Sequence, residues 1–335
     1  MIYISELVEG VSGSAGDLAR EADIIIVQRL LVSEVQNSIF YWRSMGKPVA
    51  ADLDDAYTIM PRTVASHKFW RQGMIGGKKD GKEIWLQMKY KPDEQLVWGV
   101  KLCTALISPS KVICEDWQKY TRNTFWTPNY IDSSLYTKFR RVPRGMDDLI
   151  TLGWGGSFSH VESWNDSRLV PALHRILQER KNVRLILAGG DPRIYGLFHK
   201  QRGQVAIHPW VEPSKWPEYL AEFDIGLIPL AGEYDQRRSW IKPLEYATMG
   251  IPWVGSRNRM TEEFGTMGTL VRNKTYDWYE ALTDVIDNIQ ARREAMFPWM
   301  HWAEEQDIHA NVNNLVATYQ KIIDLARRDA LTGHE

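Results

Sequence analysis

The chain has 335 residues, with 41 Lys+Arg against 42 Asp+Glu, so its net charge of -1 selects neither a polyanionic nor a polycationic partner. Two cysteines, Cys103 and Cys114, are too few for a disulfide scaffold or a four-thiolate zinc site. The N-terminal MIYISELVEG lacks the basic start and apolar core of a secretion signal, and no apolar run approaches the ~18 residues of a membrane span, so a cytoplasmic protein without stable membrane insertion is expected. At about 150 residues per domain the length predicts two domains. Fifteen tryptophans outnumber the 14 tyrosines and 9 phenylalanines, which points to core packing, to ring-stacking ligands, or to both.

Short β-rich runs alternate with amphipathic stretches, the pattern of parallel sheets wrapped by helices. The first half predicts strands over 22–30, 48–53 and 102–110, helices up to Met45 and over 111–121, and a short strand before TPNYID. The second half repeats the scheme. Strands are expected over 148–156, in NVRLILAGG, in QVAIHPWV, over 224–230 and in IPWVGS, with helices over 166–180, 215–221 and in IKPLEYATMG, which Gly250 closes. A boundary is expected in the Pro/Arg/Gly-rich stretch near 137–147. The tail predicts helical segments interrupted at Pro298, and then an amphipathic helix over 310–330 whose apolar face (Val312, Leu315, Val316, Tyr319, Ile322, Ile323, Leu325) must dock.

Residues 62–101 break the alternation. They hold nine cationic residues against four acidic ones, so a chain neutral overall is locally basic. Within this insertion GGKKDGK reads as a turn and KEIWLQMKY as a flanking strand.

In open parallel sheets ligands sit beyond the carboxyl ends of the strands. There Gly153-Trp154-Gly155-Gly156-Ser157 places small residues where backbone amides can approach a phosphate, although a tight turn with no ligand explains the glycines equally. Arg237, Arg238, Ser239 and Lys242 lie before and on the first turn of the helix carrying Glu245. Together, cations and a helix N-terminus suit a diphosphate, and the carboxylate one turn on suits ribose hydroxyls.

From GWGGSFSH through LILAGG, HPWVEPSKWPEYLAEFDIGLIPL and WIKPLEYATMGIPWVGS, the chain resembles the nucleotide-sugar-binding domain of the group 1, family 4-like, retaining glycosyltransferases. SPSKVICEDWQKYT and TPNYID resemble the end of that family's first domain, whereas residues 1–100 match it loosely. The resemblance implies an α/β GT-B fold: two Rossmann-like doubly wound domains facing a cleft, with a C-terminal helix crossing back to the first. The expected division is 1–143 for acceptor binding, 144–303 for the nucleotide-sugar, and 304–335 for the returning helix. It also implies a hexosyl transfer from a nucleotide-sugar, UDP-glucose by default, without a required cofactor or divalent metal.

By the same resemblance Glu245 holds ribose and Lys242 the diphosphate. His160, Gly155, Gly156 and Ser157 face phosphates or sugar, and the loop with Trp210 and Val211 holds the base. The chain departs from the family at Arg237, where many members carry a glutamate eight positions before the second, and in GWGGSFSHVESW, which lacks the common Arg and Lys. The diphosphate charge then falls to Arg237, Arg238 and Lys242.

In the first domain Asp52, Asp54 and Asp55 follow a strand. Asp54 or Asp55 is a candidate general base, Asp52 an acceptor contact, and capping of the next helix is the plainer role. A magnesium or manganese site at these acids is the minor reading. His67 and the lysines Lys78 and Lys79 are further acceptor candidates. The basic, Trp-bearing insertion fits a nucleic acid, so a hydroxylated base in viral DNA, modified in the host cytoplasm, is one acceptor reading. A saccharide or lipid-linked glycan, a non-catalytic nucleotide-sugar or nucleic-acid binder, and plain solvated surface for the lysines are the others.

Overall fold

The structure, a computed structural model, describes residues 13–79, 82–140 and 149–332. These fall into two compact units, one of residues 13–62, 66–128 and 312–332, the other of 63–65, 129–140 and 149–311.

The first unit holds a parallel sheet of β1 (Ile25–Gln28), β2 (Val49–Asp52), β5 (Ala105–Ser108) and β6 (Thr124–Trp126), in the order β1-β2-β5-β6. Val49, Ala50, Ala51, Ala105 and Leu106 are fully buried, so these strands read as short apolar runs. The small Ala50 and Ala105 leave room for Ile322 of the C-terminal helix, Ile308–Thr332, to pack against them. That helix docks through Ile322 and Ala326, while Val312 and Val316 of the expected apolar face stay exposed. Its periodic stripe is longer than the surface it covers.

Between β2 and β5 the insertion forms an antiparallel hairpin, β3 (Met74–Lys79) with β4 (Lys82–Gln87), paired from Met74↔Gln87 to Lys79↔Lys82. The expected turn residues 80 and 81 lie outside the described residues, and nothing further is stated of the Lys78 and Lys79 side chains.

The second unit is built on six parallel strands in the order β12-β11-β10-β7-β8-β9. They are β7 (Ile150–Gly155), β8 (Val183–Ala188), β9 (Val205–His208), β10 (Ile225–Ile228), β11 (Trp253–Ser256) and β12 (Thr269–Val271). The expected helix over 166–180 is present as Leu169–Glu179, and a further short helix, Val161–Asp166, precedes it, separated where Arg168 takes a left-handed conformation (φ 63°). Pro298 does not interrupt a helix but sits in the first turn of Phe297–Glu305, where its missing N–H costs nothing. Residues 141–148, where the domain boundary was expected, lie outside the described residues. The division comes earlier, at 128/129, because Ile131 and Tyr136 pack into the second unit's core with Leu244, Met249 and Met296. Its other crossing falls at 311/312 rather than 304, for Ala303 belongs to that same core.

Four large aromatic residues, Trp154, Trp164, Trp253 and Trp278, are almost wholly buried here, so much of the tryptophan surplus is packing. Trp253 demands glycine opposite it, for a Cβ on Gly268 would meet its ring at 2.3 Å, and Phe223 likewise excludes a Cβ on Gly153, at 2.0 Å. Gly226 in β10 is likewise covered by the Tyr246 ring, at 2.5 Å from such a Cβ. Gly226→Ala is expected to destabilise the second unit by about 1–3 kcal/mol through overpacking, read as a lowered urea midpoint. Wild-type stability for that variant would show that the ring yields freely.

Candidate active site

The strand order turns around between β7 and β10, since the chain winds outward from β7 to β9 and then from β10 to β12. A crevice beyond the carboxyl ends of the central strands follows from this topology. A cavity of about 320 Å³ lies there, walled by Gly155–Ser157 after β7, Ala188 and Gly189 after β8, Pro209–Val211 after β9, and Ile241, Lys242 and Glu245.

The last three belong to the helix Ile241–Met249, which ends on Gly250 in the left-handed conformation (φ 68°). Its apolar face buries Leu244, Ala247 and Tyr246, and the Tyr246 hydroxyl donates to the carbonyl of Leu227 in β10 at 3.2 Å. With that face docked, Lys242 and Glu245, three residues apart, share the side turned to the cavity. The Lys242 ammonium donates to the Gly155 carbonyl at 2.7 Å. Burial lowers its pKa to about 8, opposed by the charge of Glu245. Burial raises the Glu245 carboxyl to about 7, opposed by Lys242 and by hydrogen bonds from Tyr136 and Trp216. The Tyr136 hydroxyl stands 3.1 Å from Oε1 of Glu245.

The glycines of this site are required by aromatic packing as well as by access. A Cβ on Gly155 would fall 2.0 Å from the Trp216 ring, and one on Gly156 would fall 2.6 Å from the Trp154 ring. Gly189 has φ 68°, and a Cβ there would approach the Gly156 carbonyl at 3.3 Å. Opposite, Trp210 is 67 % exposed. Its loop is held from below by His208, which bonds Glu222 at 2.9 Å and lies against the Tyr219 ring with centroids 4.6 Å apart. An exposed indole face at one end, a buried ammonium beside a glycine turn in the middle, and a carboxylate acceptor are together suited to base, diphosphate and ribose.

Of the expected donor residues, Gly155, Gly156, Ser157, Trp210, Val211, Lys242 and Glu245 converge on this cavity. Arg237, Arg238 and Ser239 are not among its walls. Arg237 bonds the Glu233 carbonyl and carboxylate, Arg238 bonds Asp235 at 3.0 Å and Ser159 at 3.1 Å, and Ser239 accepts from Asn129 at 3.0 Å. Trp154 lies beneath the turn in the core, not in the cavity. His160 is buried behind Gly156, and burial together with Arg238 and Lys242 holds its pKa well below the usual value. Sequence reasoning missed Tyr136, Trp216, Tyr219 and Gly189. Trp216, Tyr219 and Gly189 lie inside the motifs it recognised, whereas nothing local marks Tyr136 as a partner of Glu245.

In the first unit Asp52 and Asp54 follow β2. Asp54 is not a free base: Arg29, itself left-handed (φ 64°), grips it with Nε at 3.0 Å and Nη2 at 2.5 Å, and the Tyr57 hydroxyl also donates to it. Asp52 accepts from Gln28 at 3.4 Å, and burial and the neighbouring Asp54 raise its pKa. Asp55 stands beside this group, adding its charge to the field at Arg29 and Tyr57. His67 opens the helix His67–Gln72, its pKa lowered by burial and by Arg71 and Arg62. Among the described residues no cluster of three His, Cys, Asp or Glu is placed to hold a metal ion, and no helix is long and apolar enough to cross a membrane.

Residues 150–288 match the sequence model of the family described as glycosyl transferases, group 1. No curated protein shows significant sequence similarity to the chain. Among solved structures, sucrose-phosphate synthase from Thermosynechococcus elongatus superposes with a TM-score of 0.67 at 14% identity, over 97% of this chain and 81% of that one. Anabaena HepE in complex with UDP and glucose gives 0.59 at 15% identity, over 93% and 82%. The E. coli structure described as trehalose-6-phosphate bound with UDP-2-fluoro glucose gives 0.63 at 10% identity, over 94% and 76%. Two Rossmann-like sheets and the match over residues 150–288 are those of a glycosyltransferase of the GT-B fold with a nucleotide-sugar donor. The crevice at the turn-around of the second sheet lies within the segment that is similar to the group 1 glycosyltransferases.

For a donor nucleotide held in this cavity, protonation of Glu245 near 7 and deprotonation of Lys242 near 8 are expected to set the pH dependence of binding. Below the first the carboxylate is lost as a hydroxyl acceptor, and above the second the diphosphate loses its cation. Affinity for a nucleoside diphosphate measured by calorimetry is therefore expected to peak between them. Glu245→Gln is expected to flatten the acid limb. Lys242→Ala should weaken binding about tenfold to a hundredfold, the range of a hydrogen bond to a charged group, and abolish the alkaline limb.

Proposed function

We propose that the enzyme moves glucose from UDP-glucose, with retention of configuration, to a hydroxyl on a modified base of viral DNA. The donor half of this reading rests on the buried Lys242–Glu245 helix facing Trp210 across one cavity. The Lys242 ammonium offers pre-placed positive charge to a departing diphosphate. UDP and glucose sugars appear in two of the structures similar to this chain, which supports that donor.

The acceptor half rests on the hairpin. Trp85 stands 50 % exposed on β4 with the Lys68 ammonium 4.8 Å over its ring, and Lys82 and Lys89 are exposed nearby. A cation beside an open aromatic face is what single-stranded or distorted nucleic acid engages, the charge tracking phosphate and the ring stacking a base. Lys78 and Lys79 add two charges on the partner strand of the hairpin, β3. Asp54 is held by Arg29, whereas the Asp52 carboxylate at the end of β2 accepts only a long hydrogen bond from Gln28 at 3.4 Å, which suits it to orient an acceptor hydroxyl.

The test is transfer of labelled glucose from UDP-glucose to duplex DNA containing hydroxymethylcytosine, over a salt series. Transfer that falls steeply with salt is expected. Trp85→Ala with Lys68→Ala should reduce transfer about tenfold, within the ~1–3 kcal/mol of one stacked base, and leave hydrolysis of UDP-glucose unchanged. Transfer to glycans alone, or a rate indifferent to salt, overturns the DNA acceptor. Donor binding without turnover on any acceptor overturns the enzyme reading in favour of a binding protein.

A further inference from the structure

The first unit carries a cavity of its own, of about 470 Å³, walled by the start of the helix Glu34–Ser44, the start of the helix Pro92–Leu102, and residues 88–90, which leave the hairpin. Its size falls in the range of small-molecule sites. Gln95, which is buried, fastens the walls to one another. Its side-chain carbonyl accepts from the Ser33 amide at 2.7 Å and from the Ser33 hydroxyl at 3.3 Å, and its side-chain amide donates to the Tyr90 carbonyl at 2.9 Å. Its backbone carbonyl accepts from the Gln36 side chain at 2.6 Å. Ser33 is held at φ 48°, and Arg29, in the same loop after β1, at φ 64°, a left-handed range in which residues other than glycine rarely sit. Such strain persists where the surroundings overdetermine it, and it gathers at functional sites.

We propose that this cavity binds one neutral hexosyl group, laid on Trp98 and hydrogen-bonded by Asn37 and Glu34. Trp98 and Tyr90 are each 45 % exposed and meet edge to face, with centroids 5.3 Å apart and planes at 75°. A nucleobase is flat and is gripped best between parallel faces. Two rings set as a corner fit a thicker body, and the chair of a hexose has an apolar C–H face to lay on one of them. Its hydroxyls both donate and accept, and need partners that do the same.

Asn37 and Glu34, one turn apart on their helix, both wall the cavity. The amide of the first donates and accepts, the carboxylate of the second accepts, and neither side chain makes a hydrogen bond among the described residues. Glu34 and Lys89 are the charged residues of the walls, and their charges cancel, so nothing here draws a phosphate. Where the acceptor is DNA, as proposed above, the hexose is one already attached to it, and the first unit reads its own product. A free glucan offers the same group. The choice between these sources rests on the acceptor reading, whereas the hexosyl site does not.

Titration of the whole protein with methyl α-glucoside, followed by NMR, tests the site without donor or DNA. Saturable binding is expected. Trp98→Ala should weaken it about threefold to tenfold, the scale of an aromatic contact, and Asn37→Ala about threefold, the scale of one hydrogen bond, with signals remote from the cavity unshifted. Binding that survives Trp98→Ala and is lost in Lys242→Ala puts the sugar in the crevice of the second unit and overturns the proposal, as does failure of the wild type to bind either the glucoside or maltotriose. Duplexes carrying hydroxymethylcytosine with and without glucose separate the sources. A preference for the glucosylated duplex that Trp98→Ala removes supports sugar on DNA. Maltotriose binding without that preference supports a glucan and counts against the DNA acceptor, while the hexosyl site stands. Equal weakening of both duplexes by Trp98→Ala shows base stacking and overturns the sugar.

Discussion

The crevice of the second unit is organised by a costly act: one nine-residue helix half-buries an ammonium and a carboxylate three residues apart. Each ion taken from water costs several kcal/mol unless its hydrogen-bonding capacity is met. The partners come from distant parts of the sequence: the Gly155 carbonyl at the end of β7, the Tyr136 hydroxyl in the helix Ser133–Thr137, and Trp216 at the start of the helix Trp216–Leu220. The need to satisfy two charges therefore ties four segments around one cavity. It also explains why the segment after Pro128 belongs with the second unit, for it carries Tyr136.

The same economy governs the glycine turn. Trp216 bonds Glu245 and lies against Gly155, while Trp154 lies against Gly156. Glycine at these positions admits the rings that brace the site, and the Gly156 amide donates to the Ala188 carbonyl at 3.1 Å. Packing is thus one reason for the glycines of this turn, the plainer of the two that the sequence offers.

Strand ends, the Gly250 cap and the Lys242–Glu245 helix were legible because each is written in a few adjacent residues. Direction was not. Arg237 and Arg238 precede that helix just as a diphosphate clamp would, yet Glu233 and Asp235, in the preceding turn, claim them. Asp54 looked like a strand-end base until Arg29, 25 residues earlier, proved to hold it. β12 escaped notice because three residues carry too little periodicity. The tail's apolar stripe marked a helix correctly and overstated its contact, since periodicity reports a face and not the extent of what it meets.

The hairpin of the first unit pairs only with itself, so β3 and β4 each present an unpaired edge, with Ile75 and Leu86 exposed on them. Exposed apolar edges are templates for the growth of intermolecular sheets, and charged side chains along them are the usual safeguard. Lys82, exposed at the start of β4, is placed for that duty whatever else it touches. It thus guards colloidal stability, and an apolar residue there would leave a stickier ribbon. Arginine or glutamine in its place keeps the edge polar.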